Sequence, residues 1–241
     1  MNKLIVPLIL LICTNVFGQK EPAKTSLMIC FSANEKFNFT IYPSEKRTIT
    51  PQKEPAFEMN SPEKLAWKFL RAKDEKSLTQ LFYNDVPESY KGNKYFEMMA
   101  VYFNKPDLNY YELESKLEFS NPLGKFSIIK YLNHNKLFPK TISSFMHFEK
   151  INEKWYLTLP KANSALCLLL MQIQSDKFKT LIDNKPTGNK IVDEFEKQMN
   201  TNGVLNIDLF STDFDLWMEN KDKYKDFIDY FLDSEHSPFT K

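Results

Sequence analysis

YELESKLEF, residues 111–119, decides how the middle of this chain is read. Tyr111, Leu113, Leu117 and Phe119 fall on alternate positions, with Ser115 completing the row, and Glu112, Glu114, Lys116 and Glu118 occupy the places between. Successive side chains of a strand point to opposite faces, so the pattern predicts a half-buried strand with one apolar and one wet face. SNPLGK (120–125) is a turn, and KFSIIKYLN (125–133) reads as the returning strand. NHNKLFPK (133–140) connects onward, with His134 as a turn residue, to TISSFMHFEK (141–150). The tight link INEK (151–154) then leads into WYLTLP (155–160). About four strands joined in sequence favour an antiparallel meander.

Helical grammar precedes these strands. Ser61 is a favoured N-cap, Pro62 suits the first helical position, and Glu63 complements the helix dipole. Leu65, Ala66, Phe69 and Leu70 then share a face, and Asp74 restarts the pattern with Leu78, Leu81 and Phe82 apolar. A third helix is expected over KYFEMMAVYF (94–103), bounded by Pro106. Further upstream, LMICF and the alternating KFNFTIY read as a hairpin over residues 27–42, with its turn at residues 32–35. Residues 43–60, with Pro43, Pro51 and Pro55, read as a surface connector. Beyond Pro160 helix returns. SALCLLLMQI (164–173) is a buried segment too short for a membrane span, IVDEFEKQM (191–199) is amphipathic, and residues 212–233 place Phe214, Trp217, Met218, Tyr224, Phe227, Ile228 and Phe231 at helical spacing. The expected fold is α+β: N-terminal helices packed on a curved antiparallel sheet of about four strands, with a C-terminal helical extension.

The stretches SPEKLAWKFLRAKDEKSLTQLF and HFEKINEKWYLTLP resemble the opening helices and closing hairpin of the nuclear-transport-factor-2-like, or cystatin-like, superfamily. The resemblance covers roughly residues 60–160 and implies a sheet wrapped around its helices, leaving a conical pocket. Some enzymes of that superfamily resemble one another in using an aspartate, histidine or tyrosine inside the cone, but none of their catalytic motifs matches here. The expected division is a signal peptide at 1–18, a hairpin and linker at 19–60, a cone-like α+β domain at 61–160 and helices packed on it at 161–241.

Lys3 and the apolar run at residues 4–13 have the form of a secretory signal, since spanning a bilayer takes about 20 apolar residues. Val16 and Gly18 fit cleavage between Gly18 and Gln19. A lipid on Cys13 is the rival reading, disfavoured by bulky Ile12. The chain is therefore expected to be exported, periplasmic or secreted, touching membrane only through the transient signal peptide. Removing Lys3 with that segment changes the formal charge from 32 − 31 to 31 − 31, which offers no electrostatic footprint for nucleic acid. Gly92, Gly124, Gly188 and Gly203 lie in no phosphate-binding loop pattern, so no nucleotide cofactor is expected.

Export permits a disulfide between Cys30 and Cys167, although each lies in an apolar run that equally suits a buried thiol. His134, His147 and His236 have no metal-ligand spacing, and no metal site is expected. His147 and Glu149 stand two apart on a predicted strand and share a face, where a carboxylate could orient an imidazole for general-base work. Glu112 and Glu114 form a similar pair. Both pairs equally fit the polar side of a half-buried strand. The leading expectation is a non-catalytic binding or accessory domain of the bacterial envelope, its partner an envelope protein or a small apolar ligand. The alternatives are a small-pocket isomerase- or hydrolase-like enzyme using His147, Glu149 or Tyr111, and a structural module that forms a homodimer.

Overall fold

The computed structural model describes residues 28–30, 37–48, 60–92, 96–97, 109–121, 123–136, 140–160, 164–183, 185–190, 193, 204–206 and 229–236. Their strands are β1 (Met28–Cys30), β2 (Asn38–Ile41), β3 (Arg47–Thr48), β4 (Asn109–Asn121), β5 (Gly124–Asn135), β6 (Ile142–Ile151), β7 (Lys154–Thr158) and β8 (Val204–Asn206). The helices are α1 (Pro62–Leu70), α2 (Glu75–Thr79), α3 (Ser164–Gln172) and α4 (Ser175–Ile182). The main sheet is curved and antiparallel, in the order β2-β4-β5-β6-β7, with β3 continuing the β2 side of β4. The expected meander is β4 to β7. Its INEK link is a two-residue turn in which Asn152 and Glu153 have φ of 49° and 63°, the left-handed pair that matches the twist of a hairpin.

Local signals place α1 and α2. The Ser61 side chain accepts from the Lys64 N–H, and Asp74 Oδ1 accepts from the Ser77 N–H at 2.7 Å, so each helix begins with a capped donor. Leu65, Ala66, Leu70 and Leu78 of these helices pack on Leu113, Ile129, Phe148 and Leu157 of the sheet. Burying one such side chain stabilises by roughly 1.5–3 kcal/mol. The segment after α2 also closes part of the β7 edge, because Leu157 N–H donates to Leu81 O at 2.7 Å.

The opposite sheet face is covered too. Leu117, Phe119, Phe126 and Ile128 pack there with Leu166, Cys167 and Leu170 of α3, Phe178 of α4, and Phe231. α4 was not foreseen, since SDKFKTLI carries only three apolar residues, Phe178, Leu181 and Ile182, among charged and polar ones. Among the described residues, no helix is long and apolar enough to cross a membrane.

Three expectations are corrected. First, β4 does not keep a single wet face. Leu113 pairs with Tyr131 and Ser115 with Lys130, leaving Glu114 as an extra residue in a β-bulge. That insertion reverses the alternation, so Tyr111 and Leu113 face α1 and α2 while Leu117 and Phe119 face α3 and α4. Second, β1 and β2 do not form a hairpin: β1 pairs with β8 and β2 with β4, whose long edge offers more hydrogen bonds than a local partner. Third, the connector contains β3, which pairs with β4 at Tyr110 and Tyr111. Phe96 is helical and buried, as expected of the third helix, whereas residues 98–103 lie outside the described residues. So do the signal segment with Cys13, Gly18 and Gln19, most of IVDEFEKQM, and Phe214, Trp217, Met218, Tyr224, Phe227 and Ile228.

Candidate functional site

The bulge at Glu114 aims a carboxylate into the layer between the sheet and the C-terminal helices. There it meets Lys130 of β5, whose side chain is only 1% exposed. Lys130 Nζ donates to Ile173 O at 2.7 Å and to Asp233 Oδ2 at 3.0 Å, and it stands 3.1 Å from Glu114 Oε2. An ammonium has three protons, and three oxygens surround this one, which is what its desolvation demands. Ser175 Oγ lies 2.6 Å from Glu114 Oε1 and 2.9 Å from Ser115 Oγ. Asp233 Oδ1 accepts from the His236 N–H at 3.0 Å, and His236 O accepts from Ser143 N–H at 2.9 Å. Asp233 N–H donates to Gln172 O and Gln174 N–H to Phe231 O, both at 2.8 Å. Charge pairing and backbone hydrogen bonds together hold residues 229–236 against α3, α4 and the sheet.

Further along the same face stand Glu112, His134 and Thr141. His134 lies within β5 rather than in a turn, because β5 stays paired with β4 as far as Asn135. Its Nδ1 is 2.8 Å from Thr141 Oγ1 and its Nε2 is 3.3 Å from Glu112 Oε2. Tyr110, the cross-strand partner of His134, stacks on the imidazole with centroids 4.1 Å apart, and Lys46 Nζ sits 5.0 Å from the Tyr110 ring centre. Burial holds His134 below its ordinary pKa; Glu112 opposes this and Lys46 and His236 reinforce it. Glu112 and Glu114 share a face, as the strand pattern foresaw, but take different partners, one carboxylate going to His134 and the other to Lys130.

The candidates His147, Glu149 and Tyr111 do not come together. His147 pairs across to Ile128 and Glu149 to Phe126, placing both on the α3 side of the sheet. Tyr111 lies on the other side, buried with Leu113 and tilted on Tyr131 at 6.1 Å. His147 is buried and its ring stacks with Phe126 at 5.5 Å. Desolvation in that apolar setting pushes its pKa down to about 4, so the imidazole is neutral at physiological pH.

On the α1 side of the sheet, Tyr42 OH donates to Glu63 Oε1 at 2.6 Å, Ser61 OH donates to Glu63 Oε2 at 2.6 Å, and Lys116 Nζ lies 2.5 Å from Glu63 Oε1. Burial alone would raise the Glu63 pKa, but the hydrogen bonds from Lys116, Ser61 and Tyr42 outweigh it and hold it at about 2. Burial and the Glu63 charge push the Tyr42 phenol well above its ordinary range, which keeps it a donor. This cluster ties the start of α1 to the sheet. Cys167 is a free thiol, fully buried in α3, and burial raises its pKa well above the ordinary value. The Cys30 side chain lies outside the described residues. Among the described residues, no group of three or more His, Cys, Asp or Glu side chains is placed to hold a metal ion.

Sequence reasoning missed Lys130, Asp233 and Thr141. The one available signal was Lys130 itself, a lysine standing in phase with Phe126 and Ile128 on an apolar strand. No family model, curated protein or solved structure matches the chain.

Proposed function

We propose that this chain is an exported bacterial protein whose α+β body serves as a binding or accessory domain of the cell envelope, rather than as an enzyme built on His147 and Glu149. The observation that supports this reading most directly is the covering of both sheet faces by helices, with apolar clusters on each side. A His147 ring stacked on Phe126 and kept neutral by burial is the chemistry of a packed core, where an imidazole is held by its surroundings and not offered to a substrate. The capped α1–α2 pair and the INEK hairpin support a relationship to the nuclear-transport-factor-2-like superfamily. The short apolar run at residues 4–13 supports release from the membrane after export.

Two measurements test this proposal. Mass spectrometry of the mature protein is expected to find an N-terminus at Gln19, and a diacylated Cys13 would replace a released protein with an anchored one. Cross-linking and co-purification from the native envelope are expected to recover a partner. Recovery of free monomer alone would overturn the accessory reading.

A further inference from the structure

The Lys130 cluster holds an amine, a carboxyl group and a second carboxylate in one water-poor layer. Lys130 Nζ donates to Ile173 O at 2.7 Å and to Asp233 Oδ2 at 3.0 Å, with the Lys130 side chain 1% exposed and that of Asp233 7%. Glu114 Oε1 is held by the Ser175 hydroxyl at 2.6 Å. Glu114 Oε2 stands 3.1 Å from Nζ, buried and accepting no hydrogen bond, so its lone pairs are free to take a proton from that nitrogen. The other oxygen of Asp233, Oδ1, accepts from the His236 N–H at 3.0 Å, and the His236 Nδ1 lies 3.1 and 3.2 Å from Oδ1 and Oδ2. An ion pair needs only the amine and one carboxylate. This cluster adds a base with free lone pairs, a backbone N–H on the carboxyl oxygen turned away from the amine, and a carbonyl for the one hydrogen that an amide nitrogen keeps. Reacting groups held in contact with water excluded supply the positioning and the electrostatics that condensation requires.

We propose that Lys130 and Asp233 condense to an intramolecular amide, with Glu114 as the base, and that the ion cluster is the state from which this bond forms. One proton passes from the ammonium to Asp233 Oδ2 along their hydrogen bond, leaving an amine and a neutral carboxyl group. Nζ then bonds to Cγ while Glu114 Oε2 takes a second proton from the nitrogen, and the His236 N–H holds the charge that develops on Oδ1. The Cγ–Oδ2 bond breaks as Oδ2 receives that proton from Glu114 and leaves as water. The amide nitrogen keeps one hydrogen, which Ile173 O accepts. Nothing is oxidised or reduced, and Glu114 ends as the carboxylate it began as. Both reacting groups belong to the chain, so no substrate has to enter the layer. The bond pins residues 229–236 to β5 and closes a covalent loop between positions 103 apart, which constrains the unfolded chain as a disulfide does. It goes beyond the binding role proposed above and does not depend on it.

The test is mass spectrometry of the full chain, purified in the folded state and then denatured. The expected intact mass is one water below the mass of the unmodified chain. Tryptic digestion is expected to give a branched product in which peptide 126–136, uncut after Lys130, is joined through Lys130 to Asp233 of peptide 226–241. Loss of water without that branched product would place the dehydration in a succinimide at Asp233-Ser234 and overturn the proposal. So would a wild-type chain at full mass with separate Lys130 and Asp233 peptides. These readings come from the wild-type chain and need no variant. E114Q, shown to be folded by circular dichroism, is expected to form the bond at least about 100-fold more slowly and to be purified at full mass. Complete condensation in freshly purified E114Q would overturn the role given to Glu114.

Discussion

Replacing Lys130 with methionine is the sharpest stability test this fold offers. Methionine keeps most of the length of the stem while deleting the ammonium, so the loss isolates the charge and its hydrogen bonds. Three oxygens lose the ammonium, Ile173 O, Asp233 Oδ2 and Glu114 Oε2, at 2.7, 3.0 and 3.1 Å, with Asp233 Oδ2 keeping only its 3.2 Å contact to His236 Nδ1. Asp233 and Glu114 keep only 7% and 19% side-chain exposure, so their charges remain largely buried without a counter-ion. Removing one partner of such a pair costs about 3–5 kcal/mol, a large part of the roughly 5–15 kcal/mol that holds a domain together. For a chain of this size, that loss lowers the melting temperature by roughly 6–20 °C. Urea denaturation followed by tryptophan fluorescence measures it directly, with an unchanged m-value expected if unfolding remains two-state. The triple variant K130M/E114Q/D233N, which removes all three charges at once, is expected to recover most of the loss. A K130M cost below about 1 kcal/mol would refute the claim that Lys130 neutralises these carboxylates in a water-poor layer.

The pH dependence of stability provides two separable tests. His147 has a folded pKa of about 4, below its ordinary 6.5, so the unfolded chain binds the proton first and stability falls as pH drops from 6.5 towards 4. The fall is on the order of 3 kcal/mol, and H147F, which keeps a ring beside Phe126, is expected to flatten that part of a denaturation series. Glu63, held at about 2 against an ordinary 4.5, contributes stability above pH 4.5 that is lost as pH falls towards 2. Screening of this half-exposed carboxylate reduces its share to about 1 kcal/mol, and E63Q should lack that acid limb. Cys167, buried and held as a thiol, is expected to resist iodoacetamide in the native chain and to react after denaturation without reductant. Labelling of the Cys167 peptide in the native protein, or its failure to label after denaturation, would contradict a buried free thiol.

Much of the fold was readable along the chain because its causes are local. Ser61 and Asp74 announce α1 and α2 through their own capping hydrogen bonds, and Asn152-Glu153 closes β6 onto β7 with two left-handed residues. The apolar run at residues 164–173 became α3, burying Leu166, Cys167, Leu168, Leu170 and Met171. The strand at YELESKLEF was also correctly placed, but its faces were not. Alternation carries no mark of an inserted residue, and the bulge at Glu114 depends on partners in β5 and α4 that the local pattern does not contain. The N-terminal hairpin failed for a similar reason. KFNFTIY has the pattern of a strand, but only the folded sheet shows that β4 is its neighbour.

The sequence by itself determined α1, α2, α3 and the β4 to β7 meander, since periodicity, caps and turns act over a few residues. The tertiary structure alone decided which side chains meet. Lys130 and Asp233 are 103 positions apart, and although the phase of Lys130 with Phe126 and Ile128 hints at burial, nothing near it names its partner. Glu112, His134 and Thr141 converge only through the register of neighbouring strands, where a slip of one residue would send each side chain to the opposite face. His147 and Glu149 share a face by strand geometry, as their spacing predicts, yet burial against Phe126 makes that imidazole a neutral core residue. Spacing sets direction along one strand; burial and partners are properties of the layers packed against it.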